Sequence, residues 1–301
     1  MSKYLIINAD DFGMCDSANK AVINLFEEGR LKSSTIMMPC PTAKEAVEFS
    51  IAHPEYAVGI HTTLTSEWKT YRWKPLTDGK SLIDEEGYMW HESDLVEKNA
   101  KSSEIEAEVR AQIALALKMG MKPSHIDNHM GSLYGNRTGR FSLLKLAYKI
   151  CGSYGYPYRM FIKADKKVLP AGTPLFALKA AAAISKHWAK KYNVPVIDYL
   201  LFPDWPAMNK IITPKSTGNF DEDYENYREE ILKIWTSIPE GITETFVHPA
   251  MNTDELKSIT GAWYQRVWEY RLMKDPATEE YLNKHGIELI SYRDLVDIRN
   301  K

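Results

Sequence analysis

Eight short apolar runs punctuate this chain, at residues 4–9, 34–38, 57–64, 124–128, 157–162, 194–200, 244–247 and 287–291. Most are followed by a longer stretch of helical periodicity, at 17–28, 43–53, 103–119, 142–154, 175–191, 222–237 and 262–284, the last broken at Pro276. Gly29 stands where a helix would take a glycine C-cap. Strands that alternate with helices predict a parallel sheet, not a sandwich. With 301 residues and no linker rich in Gly, Ser or Pro, the reading is α/β: a single β/α barrel over 1–301, TIM-like and closed or nearly closed. A doubly wound open sheet is the alternative.

Composition narrows the partners. Hydrophobic residues make up 44% and charged residues 26%, enough for a sizeable core. The net charge is −2 with no block of one sign, which argues against nucleic acid or a membrane surface. No leader precedes the first apolar run, and the longest apolar stretch, near 176–184, falls short of the roughly 20 residues that span a bilayer. Cys15, Cys40 and Cys151 are odd in number and irregular in spacing, so they read as buried thiols in a reducing cytoplasm.

One connection is unusually long. Residues 65–100 follow the third strand and carry Trp68, Tyr71, Trp73, Tyr88 and Trp90. Loops of this length inside compact domains tend to serve a function. The aromatics suit either stacking on a sugar ring, with Trp68 as the candidate, or a satellite core beneath the loop.

In a parallel barrel the chemistry lies at the C-terminal ends of the strands. The polar residues at those positions are Asn8, Asp10 and Asp11 on the first strand, His61 on the third, His125, Asp127 and His129 on the fourth, Arg159 on the fifth, Asp198 on the sixth and His248 on the seventh. Asp10 and Asp11 repel each other unless a proton, an arginine or a metal lies between them. An N-cap role suits them less, because Asp16 and Ser17 stand nearer the helix start. His125, Asp127 and His129 alternate at period two, so they share one strand face. Imidazoles and a carboxylate suit a divalent cation, and three protein ligands leave a position open for water.

The motifs "INADDFG", "GIHTTLT", "SHIDNH", "FVHPA" and "GIELISYRDL", in this order over nearly the whole chain, resemble the YdjC-like carbohydrate deacetylases. These are similar in turn to the polysaccharide deacetylases. The resemblance implies a β/α-barrel metal-dependent hydrolase that removes acetyl groups from N-acetylated mono- or oligosaccharides, often as a homodimer. Carried over by position, Asp11, His61 and His125 would be the metal ligands, Asp10 the general base and His248 the general acid. Arg159 would stand beside the base. Apart from the resemblance, Asp127, His129, Arg159 and Trp68 are read as supporting or substrate-binding residues. The family implies magnesium, whereas two imidazoles favour zinc or another transition metal. Many members continue the fourth-strand motif with further alternating histidines, where this chain reads "HMGSLYG".

As an acid, His248 would need a nearby carboxylate to raise its pKa above about 6.5, a rise the metal would oppose. Two other readings compete. A non-haem iron oxygenase would use His125, Asp127 and a distant histidine, although such sites usually occupy all-β folds. A non-catalytic sugar-binding protein would use the aromatic loop and need neither base nor acid.

Overall fold

β1, Lys3–Phe12, lies at the middle of a sheet whose strands all run parallel. β2 (Ser33–Ile36), β3 (Ala57–Thr62) and β4 (Ile126–Asn128) extend it one way, and β6 (Gly241–Val247) and β5 (Tyr199–Leu200) the other. β6 runs along one edge of β1 from Lys3 to Ala9. The other edge is shared, with β7 (Ile287–Leu289) against Lys3–Leu5 and β2 from Asn8 onward. The computed structural model describes residues 2–169, 172–202 and 217–300, and within them the seven strands form a curled half-barrel.

The strand expected at 157–162 is reduced to two single-residue bridges, Tyr158 to Ile126 and Phe161 to Ile197. Pro157 has no N–H to give; its carbonyl accepts from Ile126, and Arg159 N–H returns the bond to Ile126. Beyond that the N–H groups of Ile162 and Lys163 both turn to the Asp198 carbonyl, so no ladder propagates. The neighbouring run, expected at 194–200, shortens to Tyr199–Leu200.

Helices follow most strands and cover them with apolar faces, Val22, Leu25 and Phe26 from Asp16–Glu27 being typical. The helix expected at 262–284 divides into Trp263–Lys274 and Pro276–Lys284, and the Asp275 carboxylate accepts from Ala277 N–H at the start of the second. Three further helices, Ser93–Asn99, Asp254–Ile259 and Tyr292–Asn300, were not anticipated; each spans fewer than ten residues, too few for a clear period.

The segment at 65–100 takes the satellite-core form. Trp73 is buried with Met14, Cys15, Met37, Cys40 and Met89, and Trp68 and Tyr71 pack against that cluster. The Trp73 indole N–H donates to the Thr65 carbonyl. All three cysteines are free and buried. Among the described residues no helix is long and apolar enough to cross a membrane.

Candidate active site

The two adjacent carboxylates reach one place because β1 is irregular where they sit. Ala9 pairs with Ser34 and Phe12 with Ile36, so two residues of β1 oppose Thr35 alone, which makes a bulge. Asp11 is left-handed, with φ at 61°, a conformation Asp tolerates better than most residues. In a regular strand consecutive side chains point to opposite faces. Here the His61 Nε2 lies 3.8 Å from Asp10 Oδ2 and 3.5 Å from Asp11 Oδ1.

Each carboxylate has its own arginine. Arg159 donates Nη1–H to Asp10 Oδ2 and Nη2–H to Asp10 Oδ1, both at 2.7 Å. Its Nη2 is also 2.8 Å from Asp127 Oδ2, and its Nε donates to Glu244 at 2.6 Å. The Phe246 ring covers this guanidinium at 4.9 Å. Arg266 Nη2 donates to Asp11 Oδ2 at 2.7 Å.

The histidines divide. His61 Nδ1 is 2.6 Å from Asp127 Oδ1, which leaves Nε2 toward the two aspartates. His129 Nδ1 is 3.3 Å from Asp11 Oδ1, and its Nε2 is 3.0 Å from Glu67 Oε2. Ligand atoms of Asp11, His61 and His129 fall within 4.8 Å of one another, as do those of Asp10, His61 and Asp127.

His125 belongs to neither group. It stands two residues before Asp127, about 6.7 Å back toward the N-terminal edge of the sheet. There it stacks on Tyr292 with ring centroids 3.6 Å apart, and its Nδ1 lies 2.9 Å from Ser124 Oγ. Gly59 makes room for it: a Cβ there would stand 2.5 Å from the His125 carbonyl oxygen and 2.7 Å from its Nδ1. The shared face of 125, 127 and 129 also ends early, since His129 opens a 3₁₀ turn in which Met130 has φ at 53°. The pair on which the iron-oxygenase alternative stood is thus split between two depths.

His248 follows β6, its side chain 20% exposed in the cavity wall, and its backbone N–H donates to Glu269 at 2.6 Å. Asp198 lies away from this site, accepting from Ile242 N–H near the start of β6 and from Arg299. Trp68 does not line the cavity; it packs in the satellite cluster, with the Arg266 guanidinium 5.6 Å from its ring. The cavity itself measures about 410 Å³ and is lined by Asp10, Asp11, His61, His129 and His248 together with the apolar Met130, Phe202 and Phe246.

Burial disfavours charge on Asp10, yet Arg159 and His61 prevail and hold its carboxyl at about 2. Asp11 is likewise held well below the usual carboxylate range, because Arg266 and His129 outweigh burial. Glu67 and Asp11 overcome burial to raise His129 to about 10. Burial, with Arg266 assisting, holds His248 at about 4 against the pull of Asp11 and Asp10. The upward pull expected from nearby carboxylates is present, from Asp11 and Asp10, but burial outweighs it. Burial pushes the adjacent Glu269 carboxyl up to about 8. Burial likewise raises Glu244 to about 7.

Four residues around the site carried no usable signal in the sequence. Glu67 sits in the long loop, and Arg266 and Glu269 lie within a predicted helix. Glu244 was read only as the first residue of a strand, although it is fully buried inside β6.

Residues 4–284 match the family of YdjC-like proteins. The chain belongs to that family. A relative named carbohydrate deacetylase, from Thermoanaerobacter pseudethanolicus, is 28% identical over 96% of this chain and 98% of its own length. A chitooligosaccharide deacetylase of Yersinia enterocolitica is 28% identical over 98% of this chain and all of its own. The crystal structure of an Enterococcus faecalis protein, described as a cellobiose-phosphate cleavage protein, aligns with a TM-score of 0.72 and 26% identity over 98% of this chain and 99% of that one.

The YdjC-like protein has donor atoms suited to a divalent cation. Asp11 Oδ1 is buried with no hydrogen-bond partner, although two imidazole nitrogens face it within 3.5 Å. A cation bound by all three would satisfy that oxygen and both rings, and one carboxylate with two imidazoles is a donor set such ions accept.

Proposed function

We propose that this protein is a metal-dependent deacetylase of N-acetylated carbohydrates, with substrates of the N-acetylglucosamine-oligosaccharide type. The observation that carries the reading is the convergence of Asp11 Oδ1, His61 Nε2 and His129 Nδ1 beside Asp10 at one cavity wall. Full-length likeness to relatives named deacetylases supports it. In this reading Asp11, His61 and His129 hold the cation, and His125 is a core residue under the site. A homodimer and magnesium as the physiological ion come with the family resemblance, a cytoplasmic location with the cysteine pattern and a single barrel domain with the alternation of strands and helices; all belong to the same proposal.

A divalent ion held by these ligands would lower the pKa of bound water toward about 7 and polarise an acetyl carbonyl. The protein's own groups do the rest. Asp10 accepts the proton of the attacking water, and Arg159 keeps its carboxylate ionised and in one orientation. His61 is held by Asp127 and His129 by Glu67, so neither ring is free to turn. His248 rests neutral; in the acid role it takes up a proton from solvent and gives it to the nitrogen as the C–N bond breaks, while the proton Asp10 took from water passes back to solvent. The Phe202 and Phe246 wall offers an apolar surface to the substrate.

Metal analysis of the purified protein, combined with acetate release from N-acetylglucosamine oligomers before and after chelation, tests the reading. Acetate release that stops on chelation and returns with added metal is the expected result. Release unaffected by removal of all metal would overturn it.

A further inference from the structure

We propose that Glu67 is a positioning residue that fixes the His129 ring for the cation, which ties the segment at 65–100 to metal affinity. The inference rests on the reading of Asp11, His61 and His129 as the cation site. An imidazole that holds a cation is neutral and carries one N–H, and the partner of that N–H decides which nitrogen keeps a lone pair for the cation. Glu67 Oε2 is 3.0 Å from His129 Nε2, so a ring donating there presents its Nδ1 lone pair to the space beside Asp11 Oδ1. His61 has the opposite arrangement, with Nδ1 against Asp127 and Nε2 toward Asp11. Two carboxylates on different parts of the chain therefore select opposite tautomers, and this combination aims both lone pairs at one point.

The two histidines differ in what else restrains them. His61 belongs to β3, where the ladder to β4 fixes its backbone. His129 lies beyond the end of β4, in a turn whose next residue is left-handed, so its side-chain partner takes a larger share in setting the ring. The inserted segment also holds that turn and the loop that follows it. Ser93 Oγ donates to the Met130 carbonyl at 2.8 Å, and Glu97 accepts from the N–H groups of Arg137 and Thr138. Glu67 has a backbone held from the same side, through the Thr65–Trp90 bridge and the Ser66 N–H to the Trp90 carbonyl. The long connection thus acts as a buttress for His129.

The test is metal affinity, measured apart from turnover. Metal-free wild type, Glu67→Ala and Glu67→Gln are titrated with Zn²⁺ and with Mg²⁺ against a chelating dye, after thermal melts establish that each is folded. Glu67→Ala should bind about 10–100-fold more weakly than wild type, the usual effect of losing a carboxylate behind a ligating histidine. Glu67→Gln keeps the shape and a carbonyl acceptor, so it should fall between the two and carry the test if the alanine variant does not fold. In ¹⁵N spectra of the zinc-loaded proteins, His129 should keep a single tautomer in wild type and mix in Glu67→Ala. Wild-type affinity in Glu67→Ala would overturn the role of Glu67 while leaving the cation site intact. A folded wild type that takes up neither ion would overturn the site, and this inference with it.

Discussion

Arg159 grips both carboxylate oxygens of Asp10, each at 2.7 Å, and the same guanidinium spans Asp127 and Glu244. One buried cation therefore serves three acids carried by three different strands. The planar fork suits this, since it presents several N–H groups in fixed directions, which a lysine cannot do.

Replacing Arg159 should be felt first in pH. Arg159 depresses Asp10, so Arg159→Lys, which loses the paired contact, should raise the Asp10 pKa from about 2 toward the carboxylate range. The acid limb of kcat/KM on an N-acetylated sugar should move to higher pH by the same amount. Arg159→Ala leaves three buried carboxyls facing one another and should cost about 3–5 kcal/mol of stability, read by denaturant unfolding. An unmoved acid limb in Arg159→Lys would show that Asp10 is not the group that titrates there.

The division between His129 and His125 gives a second test. His129→Ala should lose bound metal and activity together. His125→Ala should keep stoichiometric metal and lose stability instead, by about 2–5 kcal/mol, because it empties the space against Tyr292 and Gly59. Metal loss from His125→Ala alone, with His129→Ala still loaded, would restore the ligand set expected from the motif.

Much of this was legible in the sequence, because alternation of β and α periods reports a parallel sheet and strand ends report its mouth. Asp10, Asp11, His61, Asp127, Arg159 and His248 do gather at one place. The distance of His125 from the other candidates arises from depth: period two tells which face a residue occupies but not how far down the strand it lies. The bulge at Asp10 and Asp11 was invisible for a related reason, since it depends on pairing with Thr35 some twenty-five residues away. Glu67, Arg266 and Glu269 could not be found, because loop and helix positions come to the site only through tertiary packing.

Glu269 should leave a mark on stability. A carboxyl at about 8 when folded and near 4.5 when unfolded binds its proton more tightly in the native state. Its contribution is complete below 4.5 and is lost as pH rises through 8, at no more than about 1.4 kcal/mol per pH unit. Glu244, held at about 7, acts in the same direction, as does His129, so the informative quantity is a difference. His248 and His125, both depressed by burial, work the other way below pH 6.5, so the melting temperature of the metal-free protein should fall from about pH 6.5 to 8, and Glu269→Gln should fall less steeply there. Parallel slopes for the two proteins would mean that Glu269 is ionised throughout.

His248 is tested by the leaving group. An amide nitrogen must gain a proton as the C–N bond breaks, whereas an aryl oxide departs without one. His248→Ala should therefore lose about 10²–10⁴-fold in kcat on an N-acetyl sugar and far less on an aryl acetate, with metal content unchanged. Because burial holds the ring at about 4, His248 does not titrate near neutrality, and any alkaline limb of the wild-type profile above pH 6 should persist in the variant. That persistence separates it from a histidine with an ordinary pKa, whose removal would flatten the limb. Equal losses on the amide and on the ester would take His248 out of the acid role and leave it as a wall of the cavity that orients the sugar.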